Sequence, residues 1–153
     1  MASLVGYVDL TGLKPLALAF KQDEPSPESG DAKDYYHAEF TYDMDTEAVG
    51  ATITWDGPLF VACPSCYLVV KDGALGNPAQ YVFDISNSWN GRETITLEGF
   101  WDGTQGAISN VAIWNVSTDG TSTLVPEADT YAMLLAGLGL VGFAARRKLN
   151  KTV

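Results

Sequence analysis

Turn chemistry interrupts this chain so often that few segments remain long enough for a helix. Asp56-Gly57-Pro58, Asp72-Gly73, Gly76-Asn77-Pro78, Asn90-Gly91, Asp102-Gly103 and Asp119-Gly120 divide it at short intervals. Each Asx-Gly pair supplies residues that tolerate positive φ, which tight hairpin turns require. Between the turns, residues 15–20, 37–43, 50–55, 59–62, 66–71, 79–85, 93–98 and 108–116 are β-rich or alternate polar with apolar side chains. Many short strands joined by frequent turns predict a mainly β fold. The expected architecture is an antiparallel β-sandwich, jelly-roll-like or an open barrel, followed by one C-terminal hydrophobic helix. No helical period occurs before residue 125, and no repeat of 20–50 residues is found. Lys21 to Lys33 is acidic and rich in Pro, Ser and Gly, and reads as an exposed loop.

A chain of 153 residues suits one core plus an appendage. With 46% hydrophobic and 18% charged residues it has the composition of a folded protein. Its charge is unevenly placed. Arg146, Arg147, Lys148 and Lys151 lie in the last eight positions, whereas all nineteen acids precede Thr130. Five basic against nineteen acidic residues leave the chain through Thr130 at −14. A phosphate backbone would be repelled, so nucleic acid is excluded as a partner.

Character changes at Ser117. Residues Ser117 to Thr123 are small and polar, a linker composition. Val125-Pro126-Glu127-Ala128-Asp129-Thr130 follows, then an unbroken apolar run of fifteen residues from Tyr131 to Ala145, then Arg146-Arg147-Lys148. As a helix the run spans about 22 Å, short of a hydrocarbon core of about 30 Å. Tyr131 at one interface and snorkelling arginines at the other would make up the difference. Asp129 or Thr130 is placed to cap the first turn. The basic cluster reads as a membrane stop retained on the cytoplasmic side, with the body outside.

Residues 125–148 resemble the PEP-CTERM sorting domain of exopolysaccharide-producing Gram-negative bacteria. The Pro126-Glu127-Ala128 triplet stands where that family carries Pro-Glu-Pro, followed by the Gly-Leu-Gly core and the basic end. The resemblance implies export and processing by exosortase, an integral-membrane cysteine protease. It also implies a transient inner-membrane anchor and a destination at the cell surface or outside it. Ser88-Trp89-Asn90-Gly91, Leu97 to Trp101 and Gly106 to Val111 are similar to the body of many such proteins, a likeness that carries no activity. The expected organisation is a β-body over 1–116, a linker over 117–125, a sorting tail over 126–148 with a transmembrane helix at 131–145, and a cytoplasmic end over 149–153. Export calls for a leader. Met1 to Leu10 lacks a basic residue and is broken by Asp9, and Leu16 to Phe20 is too short, so two explanations stand: a true start upstream or a trimmed chain.

Candidate sites in the body are few. Cys63-Pro64-Ser65-Cys66 lies between strand-like segments with no helix to lower a thiol pKa, and a tight turn brings its ends within disulfide reach. A structural disulfide is the expectation for an oxidising compartment. Trp89 and Trp114 are the candidates for stacking on sugar rings, Trp114 because it shares a strand face with Ala112, opposite Val111 and Ile113. Asp43, Asp45 and Glu47 resemble the start of a calcium loop. Ala48 replaces its glycine, however, and Thr54 stands where its bidentate Glu belongs, so they remain weak metal candidates. The single histidine, His37, shares a strand face with Glu39. No nucleophile elbow, metalloprotease helix or phosphate loop is present. No catalytic residues and no cofactor are assigned, and the expected function is that of a structural or interaction protein. Exopolysaccharide binding is the alternative, and a secreted hydrolase ranks below both.

Overall fold

A computed structural model describes residues 3–4, 16–73, 78–101, 106–117 and 121–149. The turns expected at Gly76-Asn77, Asp102-Gly103 and Asp119-Gly120 lie outside these residues. The described chain is mainly antiparallel β with one C-terminal helix. Its strands are β1 (Ser3–Leu4), β2 (Leu16–Asp23), β3 (Glu28–Ser29), β4 (Tyr36–Tyr42), β5 (Ala48–Trp55), β6 (Leu59–Val61), β7 (Cys66–Asp72), β8 (Gln80–Asp84), β9 (Ile95–Leu97), β10 (Ile108–Val116) and β11 (Leu124–Pro126). Helix α1 runs over Ala128–Leu149.

Three sheets form. One has the order β1-β8-β7-β10-β2-β3, a second is β4-β5-β9, and a third pairs β11 with β6. All pairings are antiparallel. β10 lies inside the largest sheet, paired on its two sides with β7 and β2. Val111, Ile113 and Asn115 are buried on one face, while Asn110 and Trp114 on the other are only partly covered. Cross-strand partners share a face, so Leu68 and Val70 of β7 join Val111 and Ile113 inside. Ala38, Ala51 and Ile53 of the three-stranded sheet close the same apolar core.

The acidic segment from Lys21 to Lys33 is not the expected loop. Lys21 to Asp23 continue β2 and pair with β3 at Lys21↔Ser29 and Gln22↔Glu28. Gln22 is buried, and its Oε1 accepts the Ala38 amide at 2.6 Å, joining two sheets. Proline and serine content concealed this, because the contacts that order the segment come from β10 and β4. The stretch before the tail also departs from a free linker. Ser117 and Ser122 are buried, the Ser122 amide donates to Asp31 Oδ2 at 2.6 Å, and Leu124–Pro126 form β11.

Candidate functional site

The sorting tail begins inside the body. β11 pairs with β6 in the register Leu124↔Val61, Val125↔Phe60 and Pro126↔Leu59. The ladder is extended at both ends: Ala62 donates to the Thr123 carbonyl at 2.8 Å, and the Glu127 amide donates to the Pro58 carbonyl at 3.3 Å. Glu127 Oε1 lies 3.5 Å from Arg92 Nη1, and the Arg92 guanidinium sits 5.1 Å above the Phe60 ring.

The loop that carries Arg92 is itself fixed. Asn90 Oδ1 accepts the amides of Arg92 and Glu93 at 2.9 and 3.0 Å. Gly91 has φ +86°, and a Cβ there would run into the Val61 carbonyl. Tyr36 donates its hydroxyl to the Gly91 carbonyl and accepts the Val61 amide at 2.9 Å. Burial drives its pKa up to about 12, against a smaller lowering by the Val61 amide.

The chain turns helical at Ala128, the last residue of the triplet, ahead of the expected caps Asp129 and Thr130, which therefore fall in the first turn. Tyr131, Met133, Leu134, Leu135, Leu138, Leu140, Val141 and Phe143 are all exposed, so α1 is not packed on the body as a buried helix would be. Among the described residues, no helix is long and apolar enough to cross a membrane, so the structure does not show the transmembrane helix expected at 131–145. The helix has 22 residues, but its charged termini leave an apolar run of only fifteen. Arg146, Arg147 and Lys148 occupy its last turns, and their side chains lie outside the described residues.

Residues 124–148 match the family model of the PEP-CTERM protein-sorting motif. The tail is a PEP-CTERM sorting motif. Its presence implies an exported chain that exosortase processes and sorts to the cell surface. The match begins at Leu124, so the PEP-CTERM motif takes in β11 as well as the triplet and the helix. No curated protein and no solved structure matches the chain.

Two of the recesses among the described residues hold the tryptophan candidates. A groove of about 400 Å³ on the outer face of the six-stranded sheet is lined by Trp114, Tyr67, Lys21, Lys71, Gln80 and Asn110, among others. Trp114 and Tyr67 are register partners, as are Asn110 with Lys71 and Lys71 with Gln80. Lys21 is paired with Asp23 at 2.6 Å, and Asp84 stands opposite Tyr67. Hydrogen bonds from the Ser86 hydroxyl and amide hold the Asp84 carboxyl below its ordinary range.

The second recess, about 360 Å³, lies beside β9 and includes Trp89, Glu93 and Glu98 in its wall. Trp89 is only 7% exposed, its indole N–H donates to the Glu93 carbonyl at 2.7 Å, and its ring packs 5.9 Å from Tyr36. The two sugar-stacking candidates are therefore not brought together, and Trp89 is occupied as a core residue.

Other sequence candidates sit as follows. Cys63 and Cys66 are joined in a disulfide, with Cα atoms 5.4 Å apart. Asp43 Oδ1 accepts the amides of Asp45 and Glu47 at 2.9 Å each, so this carboxylate builds the β4–β5 turn. Among the described residues no group of three or more His, Cys, Asp or Glu is gathered to hold a metal ion. His37 pairs with Glu28 of β3 at 2.7 Å and not with Glu39. The Arg92–Glu127 contact had no sequence signal, because its partners are 35 residues apart.

Proposed function

We propose that the chain is a non-catalytic cell-surface or extracellular-matrix protein whose β-body binds polysaccharide. The observation behind this reading is the groove that holds Trp114. A half-buried indole is fixed by its strand yet offers a face to solvent. Aromatic faces stack on the C–H faces of sugar rings, while nearby amides and charges bind hydroxyls. Gln80 and Asn110 supply such groups at the two ends of one cross-strand row through Lys71, and Tyr67 stands beside Trp114 in another row. Two of the few cations of a strongly acidic body, Lys21 and Lys71, also line the groove. Their placement favours a polysaccharide that carries carboxylates. The exposed apolar side chains of α1 are what the membrane-bound exosortase engages.

Titration of the purified body with the host's own exopolysaccharide tests the reading. Trp114→Ala should weaken binding at least about tenfold, the scale of one lost stacking and burial contact. Trp89→Ala serves as the contrast. It should cost about 3–5 kcal/mol of stability as a core truncation. An unchanged affinity on Trp114→Ala in a folded body overturns the proposal.

A further inference from the structure

The triplet that exosortase must read is held by the body. We propose that β6 and Arg92 form a latch over the sorting motif, so that processing requires β11 to leave β6. The inference rests on the PEP-CTERM reading of the tail and goes beyond it by assigning a controlling role to residues of the body.

The argument begins with the backbone. A protease takes up its substrate as an open, extended segment, whereas Pro126 is the last residue of a paired strand and the Glu127 amide already donates to Pro58. Access then tracks the fraction of chains in which the segment is open, provided opening is fast relative to cleavage. The side chains add a second hold. Glu127, the acid of the triplet, is engaged by Arg92, whose guanidinium is stacked on Phe60 of β6. Glu127 and Arg92 are both partly exposed, at 33% and 45% of their side chains, so the ion pair is a weak fastening.

Upstream, the fastening is firmer. Thr123 accepts the Ala62 amide, and Ser122 is buried, with its amide on Asp31 and its hydroxyl donating to Asn115 Oδ1 at 2.9 Å. Opening therefore starts at Glu127 and stops near Ser122, which releases the triplet while leaving the body intact. Because the latch partners lie on β6 and in the Asn90–Glu93 loop, the hold exists only once the body has folded. Unfolded chains would be processed without restraint.

Full-length chain should be followed in cells that express exosortase, by pulse-labelling and the shift to the processed form. Arg92→Ala should raise the processing rate about twofold to fivefold, the range set by an exposed ion pair. Phe60→Cys with Val125→Cys, at register partners, should close a bond that holds β11 in place. Mass spectrometry identifies that pairing, and the bonded chain should resist processing while each single variant is processed. Processing of the bonded chain at the wild-type rate overturns the latch. Hydrogen exchange on purified full-length chain separates this failure from failure of the sorting reading. If wild type is not processed at all, the sorting reading falls, and the Glu127 amide still judges the latch. Faster exchange there in Arg92→Ala supports it, and unchanged exchange overturns it.

Discussion

Tyr36 shows how one buried hydroxyl can tie distant segments together. It donates to Gly91 and accepts from Val61, so it fixes both the loop that carries Arg92 and the strand that carries Phe60. Replacing it with Phe leaves the Val61 amide buried without its acceptor. This should cost about 1–3 kcal/mol in a denaturant titration. The same group sets an alkaline limit. Its pKa is raised from 10.0 to about 12 by burial, so the folded state keeps a proton that the unfolded chain gives up. Stability from this source is complete below pH 10 and is lost as pH rises from 10 to about 12, a fall of about 2–3 kcal/mol. Tyr42 shifts in the same direction through its hydrogen bond to Glu24, and it remains present in the Phe variant. The difference between wild type and Tyr36→Phe across that window therefore isolates Tyr36.

Among the elements, β6 carries more than its three residues suggest. Val61 is fully buried, Leu59 accepts the Trp55 indole N–H at 2.7 Å, and the strand backs β11. Directly after it, the Cys63–Cys66 disulfide closes the turn into β7. A loop this small restricts the unfolded chain little, so the bond contributes about 1.5–2 kcal/mol by loop-entropy scaling. Changing both cysteines to serine should lower the melting temperature by several degrees without abolishing the transition. A larger loss, seen as a collapse of the transition in calorimetry, would show that the turn does more than shorten a loop.

Taken as a whole, the molecule divides into a body that folds on its own core and a helix that does not join it. The apolar side chains of α1 are exposed, while the body's core is closed by its own strands. Deleting residues 126–148 should therefore leave a folded body but change where it goes. Cell fractionation should find it in the medium or stranded in the periplasm. A truncated chain that localises like the full-length one would remove the sorting role of the tail.

The sequence by itself determined the class of this protein and its address. Among the described residues, alternation and the turn-rich breaks between segments located the long strands, because period-two burial is a local requirement that a single segment must meet. Of the described Asx-Gly pairs, only Asn90-Gly91 takes up positive φ. Trp114 was placed outside the core by the same alternation, and the PEP-CTERM tail was legible from residue order alone. Tertiary structure decided the rest. β3 and β11 have two and three residues, too few for a period, and exist only because β2 and β6 offer them an edge. His37 found Glu28 in place of Glu39 because β3 and β4 belong to different sheets that meet in space, a contact that spacing along one strand does not foretell. Trp89 went into the core from a turn, a position where no alternation predicts a side chain's direction. The hold of Arg92 and β6 on the sorting triplet is the strongest instance. It joins segments far apart in the chain, and long-range pairing leaves no periodic trace in either one.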